Sequence, residues 1–284
     1  MTRASDLARL IGAGGTLNGA LSVDTISEKT SGSGVTIDSL NIKDSGIGGH
    51  QIGGRRNIAY NGAMQLAQRS TSVTGLGASD GYFTVDRYKM VTGSSAGRFT
   101  QSQVAVSDLS GFTKALKLEC TTADTTIGSG EYLLLEQSFE GQDVQQLKKG
   151  TSDAEQLTIS FYVKANANAT YVVELYDGDN ARHVSQSYNV TTSWNRIILT
   201  FPGDTTGAFD NDNAQSLRVF FWLHSGTSYA SGTLSTTWHT TNANRAAGLT
   251  SFFDSTNRTF FLTGLQIELG SVATPFEHIS FNET

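Results

Sequence analysis

The sequence is poor in the residues that restrain a chain covalently or stiffen its backbone. It has one cysteine, Cys120, so no disulfide can form within the chain. Cys120 follows Leu116 and Leu118 at alternate positions, which predicts a small buried hydrophobic side chain. Two prolines, Pro202 and Pro275, leave few turns made by proline. Stability must therefore come from a packed core and from assembly.

Charge and long apolar runs are also scarce. Charged residues make up 16% of the chain, its net charge is −6, and its basic pairs are isolated. We therefore predict no nucleic-acid partner, because such binding needs clustered positive charge. No apolar run approaches the ~20 residues of a membrane span, so we predict no membrane insertion. The first residues lack the apolar core of a signal peptide, and we expect a chain made in a cytoplasm.

Glycine is abundant, with 30 residues, and hydrophobic residues make up 38% of the chain, which favours an all-β protein rich in turns. The stretch from Leu157 to Phe201 carries the strongest pattern. Leu157, Ile159, Phe161 and Val163 occupy alternate positions, as in a strand with one buried face. Four such runs separated by polar turns predict an antiparallel meander.

Further strands are predicted on both sides of this stretch. About ten strands at short spacing predict a β-sandwich, specifically a jelly roll. Residues 224–250 are predicted to form one long loop, and loops of that length are usually functional or mobile. The further predicted strands lie at 82–91, 98–106, 113–121, 130–139, 217–223 and 261–269.

Residues 1–56 contain no aromatic residue and differ from the rest of the chain. Residues 2–11 predict a short N-terminal helix with a narrow apolar stripe. Residues 16–56 predict a Gly/Ser-rich stalk of short strands, with 47–54 as a flexible linker. One copy has too little apolar surface to close a core, so we predict a homotrimer. The predicted domains are 1–56, for attachment and trimerisation, and 57–284, the jelly roll.

Nothing in the sequence forms a recognisable catalytic or metal-binding pattern. Glu131, Glu136 and Glu140 are interpreted as solvated charges, and the five histidines lack the spacing of a zinc site. The acidic turns at 177–180 and 210–213 are interpreted as Asx turns rather than calcium loops. We therefore predict no enzymatic activity, no cofactor and no metal.

Aromatic residues give the candidate binding site. Phe220 and Trp222 alternate with the inward-facing Val219 and Phe221, and Tyr229 and Trp238 lie in the long polar loop. Exposed rings beside hydroxyl and amide groups suit stacking on sugars. Trp238, Tyr229 and Trp222 are therefore the candidate glycan-binding residues. The alternatives are a second core layer or subunit interface for Trp222, and a Trp238 that pins the loop onto the sandwich.

Several stretches resemble a family of tailed-phage virion proteins of marine-phage type. Residues 26–44, from Ile26-Ser-Glu-Lys-Thr to Leu40-Asn-Ile-Lys-Asp44, resemble a segment of phage fibre-like proteins. Residues 57–69, Asn57-Ile-Ala-Tyr-Asn-Gly-Ala-Met-Gln-Leu-Ala-Gln-Arg, and residues 82–88, Tyr82-Phe-Thr-Val-Asp-Arg-Tyr, resemble the start of the family's large domain, which is similar to carbohydrate-binding-module jelly rolls. Thr233-Leu-Ser-Thr-Thr-Trp and the closing stretch Phe260–His278 resemble its end.

The resemblance implies a virion structural protein located in the phage particle and made in the host cytoplasm. Residues 1–56 would attach to other virion proteins, and the jelly roll would bind host surface polysaccharide. A tail fibre or receptor-binding protein is the leading expectation. A capsid-decorating or head-fibre protein is the alternative within this class, and a polysaccharide-degrading tailspike is the alternative in another class.

Overall fold

The computed structural model describes residues 56–279 throughout and, before them, Ser27, Ser33 and four short strands between residues 35 and 51. The chain divides into two compact units, Met1–Ile52 and Gly53–Thr284. The helix predicted over residues 2–11 lies outside the described residues, and so does the start of the predicted stalk.

The four described strands of the first unit are β1 (Val35–Ile37), β2 (Leu40–Lys43), β3 (Gly46–Ile47) and β4 (His50–Gln51). They pair antiparallel in chain order. The linker predicted over 47–54 is therefore wrong for residues 47 and 50–51. Gly48-Gly49 separates β3 from β4, and a glycine pair between two paired strands is a hairpin-turn sequence as well as a linker sequence.

The second unit contains eleven described strands in two antiparallel sheets, which confirms the predicted all-β sandwich of jelly-roll type. The first sheet has six strands in the order β13-β10-β15-β8-β7-β5, and the second has five in the order β12-β11-β14-β9-β6. Their bounds are β5 (Ser72–Leu76), β6 (Lys89–Gly93), β7 (Arg98–Ala105), β8 (Lys114–Thr122), β9 (Tyr132–Glu140), β10 (Leu157–Ala165), β11 (Ala169–Asp177), β12 (Arg182–Val190), β13 (Asn195–Phe201), β14 (Gln215–Ser225) and β15 (Thr259–Leu269).

The predicted meander over 157–201 is wrong, although all four of its strands exist. β10 pairs with β13 and β15 in the six-stranded sheet, whereas β11 pairs with β12 and β14 in the five-stranded sheet. The short connections after β10 and after β12 therefore cross from one sheet to the other. Alternation shows which face of a strand is buried, but it does not show which strand lies beside it.

One predicted strand begins later than expected. The strand predicted at 82–91 is β6, which begins at Lys89, because the residues before it form turns. Arg87 has a positive φ of 72°, and the Asp86 carboxylate accepts the backbone N–H of Gln68. Val85 and Tyr88 are nevertheless fully buried, so buried side chains in a turn imitate the pattern of a strand.

The inner faces of the two sheets form one hydrophobic core. The Phe161 ring of β10 meets the Tyr188 ring at 5.0 Å and the Phe221 ring at 5.1 Å, both edge to face. Such pairs add to the stabilisation from apolar burial. Cys120 is fully buried in this core, as predicted, and burial raises the pKa of its thiol to about 11.

Residues 226–250, here called the covering segment, lie over the outer face of the five-stranded sheet. The predicted loop is shorter at its start, because His224 and Ser225 belong to β14. The segment contains helix α1 (Thr227–Ala230) and a 3-10 helix (Asn242–Asn244). It adds to the sheet edge, since His239 exchanges backbone hydrogen bonds of 2.9 Å with His183 of β12. No helix in the described residues is long and apolar enough to cross a membrane.

Candidate functional site

The floor of the candidate site is the outer face of β14. Val219 and Phe221 point into the main core, so Phe220 and Trp222 point the other way, as the alternation predicts. Both are nearly completely buried, with 1% of Trp222 exposed. They pack in a second hydrophobic cluster under the covering segment, in agreement with the second-core-layer interpretation.

A small cavity opens above this floor, with a volume of about 190 Å³, and we call it the arginine groove. Strands β6, β9, β11 and β14 supply most of its lining, and the covering segment supplies two residues. No carboxylate belongs to the lining. The lining residues are Val91, Tyr132, Leu134, Tyr176, Arg218, Phe220, Trp222, Tyr229 and Arg245.

Arg245, from the covering segment, lies over the aromatic rings of the groove. Its guanidinium carbon is 5.1 Å from the centroids of Tyr176 and Trp222 and 5.7 Å from that of Tyr229. A cation over an aromatic face is attracted by the ring quadrupole, more strongly when it is partly desolvated. The three rings therefore hold one guanidinium in a defined orientation.

Glu174 of β11 fixes Arg245 from below. The side chain is completely buried. Its Oε1 accepts a hydrogen bond of 2.9 Å from Arg245 Nε, and its Oε2 accepts one from Trp222 Nε1. Burial raises the pKa of Glu174 to about 7, against the opposing effects of Arg245 and Trp222. The carboxyl group is thus a support of the groove and has no oxygen available to a ligand.

Arg218 of β14 is the second cation of the groove. Its guanidinium carbon lies 5.5 Å from the centroid of the Tyr176 ring, so Arg218 and Arg245 both contact that ring. Among the described residues it has no acceptor and no ion-pair partner, and its Nε is buried without a hydrogen bond. The groove therefore presents a positive charge that the protein does not neutralise locally.

Three half-buried tyrosines form the walls. Tyr132 and Tyr229 meet edge to face at 5.5 Å, and Tyr176 lies on the other side of the floor, beside Phe220. Burial raises the pKa of Tyr132, so its hydroxyl remains protonated at neutral pH. The tyrosines offer ring edges and hydroxyl groups beside two guanidinium groups, a combination suited to a small polar ligand with an apolar face.

The structure brings together two of the three predicted site residues. The rings of Trp222 and Tyr229 are 5.4 Å apart in the arginine groove. Trp238 lies elsewhere: it is in the middle of the covering segment and packs against the main core. Its Nε1 donates to the Pro202 carbonyl at 2.8 Å, and Lys149 Nζ lies 5.1 Å from its ring centroid. This placement fits the alternative in which Trp238 pins the loop.

Lys149, beside Trp238, is the centre of a buried ionic network. Its ammonium group is 2.5 Å from Asp177 Oδ2 and 3.1 Å from Asp204 Oδ2. It also donates to the carbonyls of Thr206 and Gly207. A buried charge is tolerated only when it is paired and hydrogen-bonded, and Lys149 is both. The network ties three loops together at this end of the sandwich.

The first acidic turn is an Asx turn, as interpreted from the sequence. Asp177 Oδ1 accepts the backbone N–H groups of Asp179 and Asn180, each at 3.0 Å. Its Oδ2 contacts Lys149 and accepts from the Asn180 amide. In the second turn Asp212 Oδ1 accepts the N–H of Ala214. These oxygens serve the turns and the ionic network.

Of the three glutamates interpreted as solvated charges, Glu140 is exposed, Glu131 is partly buried and Glu136 is buried. Glu136 is 4% exposed and accepts from the Gln215 amide at 2.7 Å. Glu131 Oε2 lies 3.2 Å from His224 Nε2. Neither contact has a local sequence signal, because both partners, Gln215 and His224, lie on β14, far along the chain.

His224, Glu131 and Asp124 form the one described set of three potential metal ligands. The histidines are scattered in sequence, yet the fold brings His224 to two carboxylates. Each group already has protein partners: Ser251 Oγ lies 2.8 Å from His224 Nδ1, and Asp124 accepts from Ser95 and Ala96. We interpret this cluster as a set of hydrogen-bonded side chains that closes one end of the sandwich.

The groove residues that sequence reasoning missed are Arg245, Arg218, Glu174 and the walls Tyr132 and Tyr176. A signal existed for Glu174 and Tyr176, which alternate with the inward Val173 and Leu175. Their position across from Phe220 and Arg218 depends on the pairing of β11 with β14. No sequence pattern indicates that Arg245 returns to this face.

Sequence comparison assigns no family to the chain. No protein-family model matches it. No curated protein matches it either.

Solved structures similar to the chain include a phage protein and carbohydrate-binding modules. The enzymatically active domain of bacteriophage CBA120 tailspike protein 4 is 12% identical over 75% of this chain, with a TM-score of 0.39; the match covers 21% of that chain. A family 11 carbohydrate-binding module of a Clostridium thermocellum cellulase is 13% identical over 70% of this chain and 95% of its own, with a TM-score of 0.35.

A family 30 carbohydrate-binding module is 15% identical over 78% of this chain and 97% of its own, with a TM-score of 0.37. At these identities and scores the similarities assign no function.

Proposed function

We propose that this chain is a non-enzymatic virion protein of a tailed phage, a tail fibre or receptor-binding protein whose β-sandwich binds host-surface glycan. The arginine groove is the observation that carries the binding proposal. The phage assignment is supported by the resemblance of residues 26–44, 57–69, 82–88, 233–238 and 260–278 to virion proteins. Residues 1–56 would attach the chain to the particle as a homotrimer.

The groove has the chemistry that sugar recognition needs. Sugars present an apolar face and many hydroxyl groups, which match ring edges and fixed polar groups respectively. Tyr132, Tyr176 and Tyr229 supply both in a half-buried setting. Arg245 is held by Glu174 and by three rings, so little conformational freedom is lost when it binds a ligand.

The carboxylates near the groove favour binding over hydrolysis. Glycoside hydrolysis by the usual route needs two carboxyl groups that flank the scissile bond. Glu174 and Glu136 lie on either side of Phe220 in the strand register, and both are buried and hydrogen-bonded to protein groups. Neither reaches the cavity. The polysaccharide-degrading tailspike is therefore the less supported alternative, and the capsid-decorating protein differs from the leading proposal only in location.

The test is direct titration of the full-length chain with purified surface polysaccharides of candidate hosts. Tyr229→Ala removes one wall of the groove and should weaken binding severalfold, because one aromatic contact is worth about 0.5–1.5 kcal/mol. Tyr82→Ala is the matched control, since Tyr82 is 42% exposed and lies outside the groove.

Binding that survives Tyr229→Ala, or falls equally with Tyr82→Ala, would place the site elsewhere. Absence of binding to every host polysaccharide would contradict glycan recognition. Release of oligosaccharides from the polymer would instead identify a tailspike.

A further inference from the structure

The two arginines of the groove keep most of their hydrogen-bond donors unused. Arg245 donates only its Nε, to Glu174, and its two terminal nitrogens have no acceptor in the described part of the chain. Arg218 donates to no described group, and its Nε is buried without a partner. A guanidinium has five N–H donors in a planar fork, and a buried donor without an acceptor is destabilising. The groove therefore contains guanidinium N–H donors for which the described part of the chain supplies no acceptor.

Other arginines of the sandwich are satisfied by the protein. Arg182 binds Asp204 through two nitrogens at 2.7 and 3.1 Å, and Arg258 binds Asp254. Arg196 donates to the Thr274 carbonyl. Among the described arginines, Arg218 alone has a buried guanidinium nitrogen without a hydrogen-bond partner, and this unsatisfied donor points to an acceptor that is not part of the described chain.

The charge of the groove is opposite to that of the protein. The chain carries a net charge of −6, yet the cavity is lined by two guanidinium groups and no carboxylate. Glu174 lies beneath and pairs with Arg245, which leaves Arg218 uncompensated. Inside a partly desolvated cleft such a charge attracts anions more strongly than on the open surface.

We propose that the arginine groove recognises an acidic sugar through its carboxylate, with the sugar ring against the tyrosine walls. This inference rests on the proposed glycan-binding function and names the class of glycan. Arg218 binds the carboxylate, because a guanidinium fork matches its two oxygens. Arg245, on the same Tyr176 ring, donates to the carboxylate or to neighbouring hydroxyls.

The size of the cavity sets how much of the polymer is recognised. At about 190 Å³ the groove is smaller than the roughly 300–1,000 Å³ of pockets for drug-sized ligands. It accommodates a single sugar residue, and the remaining polymer runs over the surface. The recognised unit is therefore one acidic sugar residue within a longer chain.

The experiment uses the full-length chain and matched pairs of polymers. The acidic probes are alginate, polygalacturonate and hyaluronan, together with the acidic host polysaccharides of the titration above. Each is also tested after chemical reduction of its carboxylates to alcohols. Dextran and dextran sulfate provide a neutral and a sulfated control. Arg218→Gln is compared with Arg87→Gln, which removes an exposed cation outside the groove.

We expect acidic polymers to bind at least tenfold more tightly than their reduced forms. Arg218→Gln should abolish that difference, whereas Arg87→Gln should leave it intact. A thermal melt of each variant shows that the fold is kept. Equal binding of reduced and native polymers would overturn the acidic-sugar proposal and leave glycan binding standing.

Two further outcomes also overturn the inference. Preference for dextran sulfate over the carboxylated polymers would assign the groove to sulfate instead. An equal loss with Arg87→Gln would show that the preference for acidic polymers does not depend on the arginine groove. Binding to none of the polymers, acidic or neutral, would contradict the proposed function itself.

Discussion

Glu174 is the buried side chain on which the geometry of the arginine groove depends. It holds Arg245 Nε and Trp222 Nε1 with its two oxygens and has no contact with water. Taking a carboxylate out of water is unfavourable, and here this effect outweighs the attraction of Arg245, so the pKa rises to about 7. The groove is thus supported by a group that binds a proton near neutral pH.

Stability should therefore depend on pH through Glu174. A carboxyl group whose pKa is raised by folding stabilises the protein below its unfolded pKa, near 4.5, and this contribution is lost as pH rises to about 7. We expect the free energy of unfolding of the wild type, minus that of Glu174→Gln, to fall by roughly 3 kcal/mol across this range, at about 1.4 kcal/mol per pKa unit.

Urea unfolding of both proteins at several pH values between 4 and 8 measures this difference. The subtraction is needed because burial lowers the pKa of His183 to about 3, and its contribution is lost as pH falls below 6.5. Because His183 Nδ1 lies 3.9 Å from Glu174 Oε1, the same comparison is repeated in a His183→Gln background, which removes the contribution of His183. A difference that rises with pH would mean that Arg245 keeps Glu174 ionised.

At the scale of elements, the covering segment completes the groove. It brings Tyr229 and Arg245 over a sheet whose own strands supply the floor and two walls. Backbone hydrogen bonds join it to the sheet edge: His239 pairs with His183, and Ser185 donates to the Ser235 carbonyl at 3.0 Å. Trp238 adds a side-chain anchor to Pro202. The position of Arg245 thus depends on how firmly the segment is held.

Trp238→Ala should lower stability more than it lowers ligand affinity. The change removes a half-buried ring from the core and a hydrogen bond to Pro202, and we expect a cost of about 3 kcal/mol, the low end for loss of a buried Trp. Thermal melting and titration of the same samples separate the two effects. Trp238→Phe, which keeps an aromatic ring on the core but loses the hydrogen bond and part of the packed surface, should cost less, about 1–2 kcal/mol.

An unchanged melting temperature with binding weakened severalfold would reverse this conclusion. Trp238 would then be part of the binding surface, as the first interpretation of the sequence had it.

At the scale of the whole molecule, the two units differ in what they bury. All aromatic residues follow Asn57, and the rings form the core of the sandwich. The first unit has none, and its described strands are two to four residues long. Isolated sheets of so few short strands are marginal in water, so association with other copies is the expected source of stability.

A fragment comprising residues 57–284 should therefore fold as a monomer, whereas the full-length chain should be a trimer. The reason is that the fragment keeps the whole core and lacks the segment that needs partners. Native mass measurement of both chains, with a thermal melt of the fragment, tests the expectation. A trimeric fragment would show that the trimer interface lies in the sandwich. A monomeric full-length chain would exclude the trimer. Incorporation of the fragment into virions would contradict attachment through residues 1–56.

The sequence by itself determined the fold class and the faces of the strands. Side-chain direction reverses at every residue of a strand, so alternation identified the buried faces of β10, β11 and β14. It also placed Phe220 and Trp222 on the face opposite the core. It determined that Cys120 is buried, and it indicated the composition break after residue 56.

Only the tertiary structure decided which strands are neighbours and which side chains meet. Strand pairing depends on the packing of distant segments, so the division of residues 157–201 between two sheets leaves no local trace. The contact of Arg245 with Glu174 joins residues 71 positions apart, on a loop without periodicity and on a strand whose outer face mixes polar and apolar side chains. Trp238 and Tyr229 looked equivalent in one loop, and its folded path put one ring on the core and the other in the groove.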